Sequence, residues 1–97
     1  MQSTAFSAEI AHFRYLDSAG QPVSDLPGFA ADATSLVPLY EAMVLTRLVD
    51  ERAVAMQRTG RLGTYASALG QEAVGVGTAA AMRADDVLVP AFRDQAA

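Results

Sequence analysis

The sequence predicts a mainly α fold carrying one or two short strands. Two segments with helical apolar spacing, at 36–58 and 71–83, account for most of the ordered chain. Only two stretches, 10–16 and 87–90, read as strands. The apolar fraction of 52% over 97 residues is enough to build a core and too high for a disordered tail. A chain this short buries a modest share of its surface, so part of that apolar content is expected to face a partner.

Residues 1–9 read as a loose tail. In IAHFRYL, over 10–16, Phe13 and Tyr15 alternate with His12 and Arg14, the pattern of a short edge strand. DSAGQP supplies turn residues after it, and LPGFAADA is expected to be irregular. The first helix is expected from Leu36 to Arg58. Ser35 or Thr34 would cap its start, Pro38 would fall in its first turns, and Gly60 would end it. At about 100° per residue, Leu36, Leu39, Tyr40, Met43, Val44 and Val54 share one face. Arg47, Asp50 and Glu51 lie on that same face, whereas Leu45, Leu48 and Val49 spread around the other side. Such a helix is expected to lie between neighbours, with Arg47 paired to Asp50 or Glu51 at helical spacing.

RLGTYASALG is a glycine-loosened loop. The second helix is expected from Gln71 to Arg83, with Gly70 at its cap and Glu72 in the first turn, where the helix dipole favours a carboxylate. Its glycines and alanines give it little girth, which predicts close approach by another backbone. VLVP reads as a short buried strand, and FRDQAA follows it. The chain divides on this reading into an extension over 1–34 and a helical part over 35–97.

Composition excludes several function classes. The net charge is −4, and all the basic residues are arginines, scattered from Arg14 to Arg93. No basic stripe marks a nucleic-acid footprint. The chain has no cysteine and one histidine, His12, so neither residue can build a metal site within it. No secretory signal and no membrane-length apolar run is visible, and a soluble cytoplasmic protein is expected.

Three motifs carry candidate chemistry. GVGTAA at 75–80 formally matches a dinucleotide fingerprint, but that fingerprint needs a strand before it and a helix opening at the glycines. Here the glycines fall inside a helix pattern, so close packing is the better reading. TYASALGQEA at 64–73 is a loop opening onto a helix, a place that can receive an anion or simply start the helix. In PAFRD at 90–94, Arg93 follows a strand end. There it could meet a phosphate through its planar fork or pair with Asp94 or Asp86.

The run LYEAMVLTRLVDERAVAMQRTGRLGTYASALGQEAVGVGTAAAMRADDVLVPAFRD resembles the amino-terminal part of the alpha subunit of pyruvate and branched-chain 2-oxo acid dehydrogenases. FRYLDSAGQPV resembles the leader of bacterial members. The resemblance covers about residues 10–97. QRTGRLGTYA, GQEA and the Pro-x-aromatic-Arg-Asp run, in this order, are specific together.

The resemblance implies a piece of a three-layer α/β fold that binds thiamine diphosphate with magnesium. It implies oxidative decarboxylation of a small 2-oxo acid. The expected partners are a beta subunit, in a heterotetramer, and a lipoyl-bearing acyltransferase component. Phe92 and Arg93 match the family's aromatic-Arg pair at the cofactor diphosphate, with Phe92 replacing the usual tyrosine and its hydroxyl. Tyr65 would line the active-site entrance. Ala66 stands where some members carry a histidine, so no catalytic residue and no metal ligand is assigned within the chain. The magnesium motif, Gly-Asp-Gly followed by Asn, is expected beyond residue 97, so the chain is expected to be a fragment, a truncated reading frame or a product of cleavage. The alternative is a non-catalytic helical module that only contacts a partner subunit.

Overall fold

A computed structural model describes all residues from Met1 to Ala97. The chain forms two compact units, Met1–Ala31 and Asp32–Ala97.

The first unit is built around a turn. Asp17 accepts hydrogen bonds on Oδ1 from the amides of Ala19 (2.8 Å) and Gln21 (2.9 Å). Gly20 turns the chain at a φ of 76°, a conformation side chains disfavour. The expected strand over 10–16 does not form. Leu16 and Pro22 make one isolated antiparallel bridge, and the Val23 amide donates to the Tyr15 carbonyl at 2.9 Å. A strand satisfies its backbone only against a neighbour, and Pro22 offers no amide. The alternation itself survives: Phe13 and Tyr15 meet edge to face with centroids 5.0 Å apart. Gly28–Ala31, expected to be irregular, form one 3-10 turn.

The second unit holds two helices, α1 over Ala33–Arg58 and α2 over Glu72–Ala80. α1 starts three residues before its expected start because Asp32 is the cap, in place of Ser35 or Thr34. Its Oδ1 accepts from the amides of Thr34 (3.0 Å) and Ser35 (3.4 Å), and its Oδ2 from the Ser35 hydroxyl (2.5 Å). These bonds satisfy donors that the helix itself leaves free. Pro38 therefore lies in the second turn, where the Thr34 carbonyl loses its intrahelical donor; both residues are exposed to solvent. At the far end Thr59 caps α1, and Gly60 turns the chain away with a φ of 71°.

α2 is shorter than expected. Gln71 is its N-cap, and Gly70 precedes it with a φ of 85°. It stops at Ala80 because Arg83 enters a competing turn. Asp86 Oδ2 accepts from the Arg83 amide at 2.8 Å, and the Asp86 amide donates to the Arg83 carbonyl at 3.0 Å. The Arg83 side chain pairs with Asp85 and Asp86.

The expected strand over 87–90 is also absent. Val87 and Val89 are exposed, no neighbouring strand pairs with them, and Pro90 removes a donor. The structure contains no strand at all, only helices, turns and the single bridge. No helix is long and apolar enough to cross a membrane.

α1 and α2 pack together, and Leu36, Leu39, Met43, Ala73 and Val76 line a cleft between them. The other side of α1 carries Leu45, Leu48 and Val49, all exposed. The helix is thus covered by a neighbour on one side only. Gly75 lies where α2 touches the 3-10 turn Asp94–Ala96, and a Cβ built on it would sit 2.5 Å from the Ala96 Cβ. The small residues of α2 do admit a close backbone there.

Candidate functional site

Two of the five buried residues are carboxylates, Asp50 and Glu72, alongside Ala68, Gly75 and Val76. Burying a charge is costly unless it is paired and hydrogen-bonded. Both carboxylates meet that condition, and no buried side-chain nitrogen or oxygen lacks a partner.

Asp50 is 3% exposed and accepts three hydrogen bonds from the loop before α2. Its Oδ1 takes the Tyr65 hydroxyl and the Ala68 amide, each at 2.8 Å, and its Oδ2 takes the Ser67 hydroxyl at 2.6 Å. Burial is the largest influence on this carboxyl and pushes its pKa up. The Ser67, Ala68 and Tyr65 donors and the Arg47 charge together outweigh it and hold the group below its ordinary value. Asp50 is therefore a carboxylate at neutral pH. Burial raises the Tyr65 hydroxyl above its ordinary range, and the hydrogen bond to Asp50 adds to the shift.

Glu72 is held by Arg47, whose Nε donates to its Oε1. That hydrogen bond is the main cause of the lowered Glu72 pKa and of the raised Arg47 pKa. The expected pairing of Arg47 with Asp50 or Glu51 is therefore corrected. Those two neighbours act on Arg47 only as weaker charges, because Asp50 is taken by the loop and Glu72 presents its carboxylate from the start of α2. Glu72 does occupy the first turn, as its dipole preference predicts.

The loop over 65–68 is gripped from its other side by the last residues of the chain. Arg93 Nη1 donates to the Ser67 carbonyl, and Gln95 Nε2 donates to the Ala66 carbonyl (2.7 Å) and the Tyr65 hydroxyl (3.1 Å). Arg93 also lies 4.9 Å from the centre of the Phe92 ring. Neither Asp94 nor Asp86 pairs with it: Asp94 accepts from the Ala91 amide and Asp86 is engaged with Arg83. Arg93 and Phe92 are both exposed. One edge of the guanidinium is anchored on the carbonyl, and its other donors face solvent.

The structure thus brings Arg93, Tyr65 and the TYASALGQEA loop together, with Phe92 beside Arg93. Sequence reasoning missed the role of Asp50 as the hub and that of Gln95 altogether. Asp50 left one trace, a charge inside an apolar stripe. Its partners lie 15 to 18 residues away, beyond any helical spacing. No group of three or more acidic or histidine side chains is placed to hold a metal ion.

The family profile described as "Dehydrogenase E1 component" matches residues 40–97. The pyruvate dehydrogenase E1 component subunit alpha of Bacillus cereus is 35% identical over 95 residues, covering 96% of this chain and 25% of that protein. Its counterpart in Bacillus subtilis (strain 168) is 37% identical over 84 residues, covering 84% of this chain and 22% of that protein. The Staphylococcus epidermidis counterpart is 44% identical over 59 residues, 61% of this chain and 16% of that protein. The chain therefore spans a quarter or less of the curated relatives it matches. No solved structure gives a significant match. The chain belongs to the dehydrogenase E1 component family, and within it matches the alpha subunit of a 2-oxo acid dehydrogenase.

Proposed function

We propose that the chain serves as the amino-terminal part of the alpha subunit in a thiamine-diphosphate-dependent 2-oxo acid dehydrogenase. Pyruvate is the first substrate and branched-chain 2-oxo acids the second. The match to a pyruvate dehydrogenase alpha subunit over nearly the whole chain carries this reading. The reaction is oxidative decarboxylation, with acyl transfer to a lipoyl domain. The partners are a beta subunit, in a heterotetramer, and the lipoyl-bearing acyltransferase. The intact fold is the three-layer α/β arrangement, and the setting is the cytoplasm.

When bound, thiamine diphosphate supplies a thiazolium centre that stabilises the carbanion left by decarboxylation. Among these residues the fit to its diphosphate rests on Arg93, whose exposed guanidinium keeps donors free beyond the Ser67 carbonyl. Phe92 contributes its ring face to Arg93 and no hydrogen-bond donor. Magnesium does not fit the residues present, since no acidic cluster is placed for it. Tyr65 has its hydroxyl committed to Asp50 and Gln95, which suits a wall of the site better than a proton donor.

The test is Arg93→Ala in the assembled enzyme. A charge-assisted hydrogen bond is worth about 1.5–3 kcal/mol, so the Kd for thiamine diphosphate should rise about ten- to a hundredfold. Turnover at saturating cofactor should fall far less. A variant with lower thermal stability and unchanged cofactor affinity overturns the assignment.

A further inference from the structure

Asp50 is buried, only 3% exposed, and lies outside the proposed diphosphate contact. It is nevertheless joined to Arg93 through one turn of chain. The carboxylate fixes the turn through three donors, the Tyr65 hydroxyl, the Ser67 hydroxyl and the Ala68 amide. The same turn presents the Ser67 carbonyl to Arg93 Nη1. Ser67 thus faces Asp50 with its hydroxyl and Arg93 with its carbonyl, within one residue. Gln95, two residues after Arg93, holds the flanking Tyr65 hydroxyl and Ala66 carbonyl.

We infer that Asp50 is a positioning residue for the cofactor diphosphate: through Ser67 it sets the carbonyl that aims the Arg93 guanidinium. The proposal rests on the reading of Arg93 given above. An exposed arginine on a flexible stem loses conformational freedom when it meets a ligand, and a preset anchor lowers that loss. The carbonyl is such an anchor only while its own turn is fixed. Three hydrogen bonds accepted by Asp50 on a long helix fix it. Asp50 therefore acts without touching cofactor or substrate.

A purely structural Asp50 would change stability and leave the cofactor affinity of the folded enzyme alone. A double-mutant cycle separates the two roles. The assembled enzyme carrying Asp50→Ala, Arg93→Ala or both is titrated with thiamine diphosphate and magnesium, and the thermal stability of each cofactor-free form is measured alongside. Asp50→Ala should raise the Kd about three- to tenfold in the parent and less than about twofold on the Arg93→Ala background. Asp50→Asn keeps an oxygen for Tyr65 and Ala68, so most of the affinity should return with it. Should Asp50→Ala fail to assemble, Ser67→Ala replaces it in the cycle, with the same dependence on Arg93 expected. An Asp50 effect of equal size on both backgrounds, or none on either, overturns the positioning role while leaving the Arg93 assignment standing. An Arg93→Ala enzyme with parental affinity overturns both.

Discussion

Gly75→Ala and Gly77→Ala lie two positions apart in α2 and should differ in their effect on stability, Gly77→Ala being the more stable. Each replacement removes a glycine from a helix interior, a gain of about 1 kcal/mol. At Gly77 nothing lies within 4 Å of the added carbon, so the gain stands alone. At Gly75 that carbon would sit 2.5 Å from the Ala96 Cβ and 3.1 Å from both the Ala96 carbonyl carbon and the Ala97 nitrogen. Two of these three atoms are backbone and the third is a rigid methyl, so the turn over Asp94–Ala96 must shift. Overpacking of that kind costs about 1–3 kcal/mol. The propensity gain is common to both variants, and the difference between them is therefore the clash alone, about 1–3 kcal/mol in favour of Gly77→Ala. Urea unfolding followed by far-ultraviolet circular dichroism, with both variants beside the parent, measures it. Equal shifts in the two variants would refute the close approach of α2 to the 94–96 turn.

Three further outcomes are expected. Stability should fall as the solution is acidified, because the folded pKa values of Asp50 and Glu72 lie below the ordinary 3.8 and 4.5. Their contribution is complete above those values and is lost as pH falls through the folded ones; equal unfolding midpoints at about pH 3 and about pH 7 would contradict this. The isolated chain should associate at micromolar concentration, since Leu45, Leu48, Val49 and Tyr40 expose more than half their surface along α1; a clean monomer in sedimentation would count against it. Phe92→Tyr, in the assembled enzyme, should tighten thiamine diphosphate binding modestly by adding a donor beside Arg93. Cofactor titration reads that change, and weaker binding would show that the ring has no room for the oxygen.

Both helices were legible in the sequence because their apolar spacing is local. Leu36, Leu39 and Met43 recur at helical intervals, and the same residues line the cleft beside α2. The ends were less legible. Asp32 sits in a stretch that reads as loop, and an aspartate caps a helix only if the chain before it leaves its side chain free to turn back. The two expected strands failed for a common reason. Alternation in 10–16 and an apolar run in 87–90 describe a strand's surface but not the neighbour that would complete its hydrogen bonds. Arg93 could be picked out from its motif, whereas its partner could not. The choice between Asp86, Asp94 and the Ser67 carbonyl is made 26 residues back along the chain. The same distance problem hid Glu72 from Arg47, 25 residues apart.

The two ion-bearing residues of α1 also set a ruler for the chain that follows. Arg47 and Asp50 stand one helical step of three residues apart, a rise of about 4.5 Å. Arg47 holds Glu72, and Asp50 holds Tyr65, Ser67 and Ala68. The stretch from Tyr65 to Glu72 is thereby pinned at both ends to fixed marks on one rigid rod. One residue added between Ala68 and Glu72 would force one pin to open. One residue added between the exposed Gly63 and Thr64 only lengthens a surface connection, at a closure cost of a small fraction of a kcal/mol, well below about 0.6 kcal/mol per doubling. Length variation between related chains should therefore collect just before Thr64 and be missing from the span between the pins.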